Sequence, residues 1–255
     1  MVKDAKVIAV TGSSRGIGSE IARELGRRGF IVGCLSRGGG LPDNVPDGAT
    51  LLPFPCDVTD ETSVTVALGS LVEATGRLNG LVNNAGLLVE HKSAELSVAD
   101  YDHVMRTNAT SVMMVSREAY PHLCDAGGGA VINIGSFWDK IGVPRNLPYC
   151  ASKAAIAAIT RCHAVEWARN NISAMNIAPG YIETDFNHDF FADEKTREWL
   201  RQRAPMMKPG QTGDVARLVT ALFAEDIPFL TGETIYLDGA QSAVSYTHLT
   251  LPTKA

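Results

Sequence analysis

Tyr149, Lys153 and the upstream Ser136 bring two hydroxyls and an ammonium to places from which a proton can be passed to a carbonyl oxygen. The alanine-rich run from Pro148 to Ala155 favours helix, and side chains four residues apart on a helix project from one face. The phenol and the ammonium are therefore expected to meet. A free phenol loses its proton near pH 10, about three units above neutrality, and a fixed cation beside it is the direct way to lower that value. A group so tuned acts as general acid on a carbonyl being reduced, or as general base on an alcohol being oxidised.

A second candidate lies near the start of the chain. The short apolar run Lys6 to Val10 is followed by Thr11-Gly12-Ser13-Ser14-Arg15-Gly16-Ile17-Gly18 and then by a helical pattern through Arg28. This reads as strand, glycine turn and helix, an arrangement that offers backbone N–H groups and the positive helix end to a phosphate. The spacing is Gly-x-x-x-Gly-x-Gly, which differs from the commoner dinucleotide Gly-x-Gly-x-x-Gly.

Both segments need a frame. Apolar runs at Val7–Val10, Ile31–Leu35, Leu51–Phe54, Leu81–Asn83, Val131–Ile134, Ile172–Ile177 and Thr234–Leu237 read as strands. They alternate with helical patterns at 16–28, 61–76, 98–124, 149–170, 194–202 and 213–223. Such alternation predicts an α/β fold of the Rossmann type, a single doubly wound parallel sheet with helices on both faces. Ligands of such sheets sit at the carboxyl ends of the strands, and this places Gly12, Asn84, Ser136 and Pro179 around one cleft. Between the second and third strands, Gly38-Gly39-Gly40-Leu41-Pro42, Pro46 and Gly48 disfavour a crossover helix.

In this order the motifs resemble those of the short-chain dehydrogenase/reductase family, over about residues 5 to 244. Thr11 to Gly18 is similar to its cofactor turn, with Gly12, Ser14, Arg15, Gly16, Ile17 and Gly18 as implied contacts. Asp57-Val58 falls where the adenine is met, and Asn83-Asn84-Ala85-Gly86 resembles the motif of the fourth strand. Asn108, Ser136, Tyr149 and Lys153 match the catalytic tetrad, and Pro179, Gly180, Ile182 and Thr184 match the segment that holds the nicotinamide.

The resemblance implies that hydride passes between a nicotinamide cofactor and a carbonyl carbon while Tyr149 supplies the proton and Ser136 a second hydrogen bond. Lys153 would also bind the ribose hydroxyls and, with the oxidised ring, lower the tyrosine pKa; Asn108 would anchor a water that links Lys153 to solvent. Strand two ends Leu35-Ser36-Arg37 with no carboxylate for a ribose 2′-hydroxyl, so Arg37 and Arg15 point to NADP(H). The expected reaction is NADPH-dependent reduction of a ketone or aldehyde. A 3-oxoacyl-thioester reductase is the alternative, and an NADP-binding sensor or scaffold is the rival outside enzymes. The arginines with which carrier-dependent members hold an acidic carrier fall here at Gly127 and Asn170.

Composition narrows the partners. The 255 residues, 45% hydrophobic and 20% charged, suffice for one core, and residues 1–244 read as a single domain. A net charge of -5 argues against nucleic acid as a ligand. No apolar stretch approaches the roughly 20 residues that cross a bilayer, and Met1-Val2-Lys3-Asp4 leads directly into a strand, so no membrane role and a cytoplasmic location are expected. The five cysteines are scattered, Cys150 included, and the six histidines form no ligand cluster, so no metal is expected. The helices containing Ser111–Cys124 and Ala151–Ala168 carry more apolar and small residues than one sheet contact uses, and by resemblance they pair subunits in a homotetramer or homodimer.

Leu87, Leu88, Phe137, Trp138, Val143, Leu147, Tyr181 and Phe186 are expected to edge a pocket for an apolar carbonyl compound, with 187–207 as a flap. The final segment 245–255 looks foreign to the family and is expected to be a non-native tail.

Overall fold

The computed structural model describes residues 5–243 except 186, 226 and 228; Phe186 and the segment 245–255 lie outside the described residues. Seven parallel strands form the main sheet: β1 (Val7–Thr11), β2 (Ile31–Ser36), β3 (Thr50–Pro55), β4 (Gly80–Asn83), β5 (Gly129–Ile134), β6 (Ile172–Pro179) and, after two short strands, β9 (Thr234–Leu237). Their spatial order is β3-β2-β1-β4-β5-β6-β9, so the order reverses between β1 and β4. Every residue of β1 and β4 is buried, as near-continuous apolar strands in a sheet covered on both faces must be.

The helices are α1 (Gly16–Arg27), α2 (Glu61–Thr75), α3 (Val98–Met105), α4 (Ser111–Asp125), α5 (Leu147–Trp167), α6 (His188–Ala192), α7 (Glu194–Arg203) and α8 (Thr212–Ala224). One apolar core gathers Val64, Leu68 and Leu71 of α2 with Val115, Ala119 and Leu123 of α4 against one face of the sheet. The other gathers Ile21, Ala22 and Leu25 of α1 with Val215, Val219 and Phe223 of α8. The sheet is thus doubly wound, as the alternation of patterns predicts. Local signals set the helix ends: the Asp60 carboxylate accepts from Ser63 N–H at the start of α2, and Gly76, at φ 81°, closes it in the left-handed region.

Three expectations are corrected. The helix expected over 98–124 is divided by a π-helical turn at Arg106–Thr110, where Ser111 N–H donates to the Arg106 carbonyl five residues back. The flap carries the additional short helix α6 before α7, and the helix expected to run to residue 170 ends at Trp167 in a 3₁₀ turn, 168–170. Two two-residue strands, β7 (Ile182–Glu183) and β8 (Gly210–Gln211), pair in parallel beside the main sheet and tie the two ends of the flap together. No regular element forms between β2 and β3, in keeping with the glycines and prolines there. Among the described residues no helix is long and apolar enough to cross a membrane.

Candidate active site

The turn after β1 is held by hydrogen bonds that glycine alone permits. Gly12 sits at φ +63°, where a Cβ would lie 2.9 Å from the Ala85 Cα. A Cβ on Gly18 would meet the Gly12 carbonyl and the Asn84 amide. Asn84 Nδ2 donates to the carbonyls of Thr11 (3.0 Å) and Gly12 (3.1 Å), while Thr11 Oγ1 accepts from the N–H groups of Asn84 and Ala85. This joins the two motifs, Thr11–Gly18 and Asn83–Gly86, into one unit at the switch in strand order. Helix α1 starts there with no side-chain cap and no acidic residue in its first turn, which leaves its leading N–H groups and its dipole free for an anion. Ile17 and Gly18 lie in that first turn, Ser14 and Arg15 just before it, and the Thr184 methyl reaches to 3.9 Å from where a Gly16 Cβ would be.

Arg37 follows β2 directly and is exposed. Hydrogen bonds from the Thr59 N–H and hydroxyl, and to a smaller degree the charge of Arg37, hold the Asp57 carboxyl below its usual range. Asp57 and the buried Val58 thus stand close to Arg37 on the same side of the sheet as the glycine turn. The uncapped helix, the glycines that let a ligand approach the backbone, and the exposed cation beside strand two fit a phosphorylated dinucleotide.

The four tetrad-like residues come from four segments. Ser136 follows β5, and its Oγ accepts from Trp138 N–H at 3.2 Å. Lys153 is 5% exposed, and its Nζ donates to the Ile134 carbonyl at 2.8 Å and lies 5.4 Å from the centre of the Tyr149 ring. Asn108 occupies the π-helical turn; its Oδ1 accepts from Leu87 N–H, and its Nδ2 donates to the Leu87 carbonyl and to Ser152 Oγ. The Ser152 hydroxyl donates in turn to the Tyr149 carbonyl at 2.7 Å. Gly86 lies against Asn108, since a Cβ there would be 3.3 Å from Asn108 Oδ1. Ser152 is the residue that sequence reasoning missed; it precedes Lys153, and only the distance to Asn108 exposes its part.

Burial raises the Tyr149 phenol to about 12, against an opposing hydrogen bond with Ser136. Burial likewise lowers Lys153 to about 8. The expectation that Lys153 lowers the phenol is therefore not met by the chain alone, because enclosure of both groups outweighs their mutual effect. A phenol that keeps its proton is nonetheless the form a donor needs.

Pro179 ends β6, and Gly180 N–H donates to the Leu237 carbonyl at 3.0 Å. Ile182 is buried in β7, and Thr184 N–H donates to Asn187 Oδ1 at 2.6 Å while Asn187 Nδ2 donates to the Ile182 carbonyl. Of the expected pocket edges, Phe137 is buried, Trp138 and Tyr181 are partly buried, and Leu88 and Leu147 are exposed. Among the described residues no group of three or more His, Cys, Asp or Glu is placed to hold a metal ion.

A parallel sheet with a phosphate-binding turn at its switch point and a Ser-Tyr-Lys group nearby defines an oxidoreductase of the nucleotide-binding kind, and the chain belongs to the short-chain dehydrogenase/reductase family. The family model described as enoyl-(acyl carrier protein) reductase matches residues 12–240. Gluconate 5-dehydrogenase of Gluconobacter oxydans is 31% identical over 237 residues, covering 90% of this chain and 92% of the relative. The 3-oxoacyl-[acyl-carrier-protein] reductase MabA of Mycobacterium bovis is 32% identical and covers 92% of both chains. A crystal structure assigned to a gluconate dehydrogenase of Agrobacterium tumefaciens superposes with a TM-score of 0.87 at 31% identity, over 96% of this chain and all of the other.

Proposed function

We propose that the protein is an NADPH-dependent reductase of a ketone or aldehyde, with Tyr149 as proton donor and Asn108, Ser136 and Lys153 completing the catalytic group. The observation that carries this reading is the joining of Ser136, Tyr149, Lys153 and Asn108 through Ser152 and the strand ends, beside a turn shaped for phosphates. NADPH, when bound, supplies the hydride. Gly12 to Gly18 and the start of α1 hold the phosphates, Arg15 and Arg37 face the 2′-phosphate, and Asp57 and Val58 meet the adenine. Asn84, Ala85, Gly86, Pro179, Gly180, Ile182 and Thr184 line the nicotinamide side. Tyr149, protonated up to about pH 12, gives its proton to the carbonyl oxygen, which Ser136 steadies with a second hydrogen bond. Lys153, with its depressed pKa near 8, holds the ribose and restores the phenol's proton.

A free carbonyl compound ranks ahead of a carrier-bound thioester on this reading. Gly127 and Asn170 supply no arginines, Asn170 accepts from the Tyr120 hydroxyl, and Arg117 on α4 is already paired with Glu61 and Glu118. The relatedness to MabA keeps the 3-oxoacyl thioester as the second reading. Residues 1–244 act as one domain, the tail 245–255 is non-native, and the unit is a cytoplasmic homotetramer or homodimer paired through α4 and α5, where Met113 and Val165 remain exposed.

The test is Tyr149→Phe, which removes one hydroxyl. NADPH oxidation on a panel of ketones, diketones and 3-oxoacyl thioesters is expected to fall at least a hundredfold in kcat, with NADPH affinity nearly unchanged. Equal turnover by wild type and variant would assign the proton elsewhere, and NADPH binding without turnover across the panel would favour a sensor.

A further inference from the structure

Trp138 follows Ser136 by two residues, and the backbone bond to Ser136 Oγ fixes its position. Its ring stands edge-on to Tyr149, with centroids 5.4 Å apart and planes at 81°. On its other side Trp138 meets Tyr181, 6.3 Å away at 78°. Tyr181 in turn meets Trp199 of α7 at 5.2 Å and Phe191 of α6 at 6.5 Å. The surface beside the proposed proton donor is thus a chain of rings from three separate segments, and the flap rests upon its far end. Each contact is tilted toward edge-to-face, the arrangement the ring quadrupole favours, and such a surface extends the same geometry to a further flat ring. The Trp138 indole Nε1 is buried without a partner in the chain, and as a pure donor it can be answered only by an acceptor atom.

We propose that the substrate is a planar aromatic carbonyl compound, such as a ketone fused to or conjugated with an aryl ring, and that Trp138 is the residue that sets this choice. The proposal rests on the reductase reading above and narrows it. A polyhydroxy ketone would bring many hydroxyls against rings that offer few partners, and a flexible alkyl ketone would gain burial but no ring contact. The flap transmits the preference, because Tyr181 connects Trp138 to both of its helices.

The test compares 1-tetralone, 2-decanone and D-fructose in NADPH oxidation, and separately measures binding of each to the NADP⁺-loaded protein by calorimetry. Wild type is expected to favour 1-tetralone over 2-decanone at least tenfold in kcat/KM and in affinity, with D-fructose weakest. Trp138→Leu should reduce the tetralone-to-decanone ratio at least tenfold, a ratio that cancels any loss common to both. Trp138→Phe, which keeps a ring, should retain more of that ratio. A wild-type preference for 2-decanone or D-fructose, or an equal ratio in wild type and Trp138→Leu, would overturn the proposal, as would equal loss in the Leu and Phe variants. If no carbonyl is turned over, the calorimetric affinities still decide the aromatic preference, and the reductase reading fails by itself.

Discussion

The glycine turn and the flap flank the same cleft and are built on opposite terms. In the turn, Thr11, Gly12, Leu35, Asn84 and Ala85 are linked by main-chain and amide hydrogen bonds, and one added methyl at Gly12 or Gly18 would strike backbone or amide atoms. In the flap, α6 and α7 are seated by Phe191, Leu200, Trp199 and Tyr181, while their ion pairs, such as Arg201 with Glu194 and Glu198, lie on the surface and contribute little. Backbone geometry admits one residue type where packing admits many. The difference assigns the fixed chemistry, binding of the cofactor, to the first region and the adjustable choice of substrate to the second.

Gly18→Ala tests the rigid side with the largest expected effect. Its methyl cannot be accommodated unless the turn moves, so NADPH affinity should fall by about a hundredfold, equivalent to about 3 kcal/mol. The tetralone-to-decanone ratio, a property of the flap, should stay within about twofold at saturating cofactor; a changed ratio would show the two regions to be coupled. Arg37→Asp acts at the edge of the same region without straining it. Loss of a charge-assisted contact should weaken NADPH about ten- to a hundredfold and NADH far less, as read by fluorescence titration. An unchanged NADPH affinity would remove Arg37 from the 2′-phosphate.

Lys153 belongs to both regions, and its smaller effect appears in stability. Its folded-state pKa of about 8 lies below the model value of 10.5, so the cost of burying the charge is full below pH 8 and is relieved as pH rises toward 10.5. Lys153→Met should therefore stabilise the cofactor-free protein by about 1 to 3 kcal/mol at pH 7, with a smaller gain at pH 10, while turnover is lost. Urea denaturation at both values checks the sign, and a destabilised variant at pH 7 would mean that the bond to the Ile134 carbonyl outweighs the cost of burial.

The parts legible in the sequence were those carried by short-range spacing. The interval from Tyr149 to Lys153, the glycines from 12 to 18 and the alternation of apolar runs each lie within one or two elements, and all seven strands of the main sheet stand where those runs fall. What was hidden depends on contacts across the chain. Ser152 is an ordinary helical serine until Asn108 arrives from 44 residues away. Trp138, Tyr181 and Trp199 were readable as apolar, but their mutual angles follow from where the flap folds back. Strands β7 and β8, with two residues each, are too short to show any period.

The π-helical turn between Met105 and Ser111 has a consequence for insertions and deletions. It holds one residue more than an α-helical path over the same distance, so removing a residue from 106–110 would make a regular helix and gain backbone regularity. It would also rotate everything downstream by about 100°, carrying Val112, Val115, Ala119 and Leu123 off the sheet. The surplus residue is thus a frame mark. It keeps the seam of α4 in phase with the core while turning Asn108 toward Leu87 and Ser152, and no shortening of the helix preserves both.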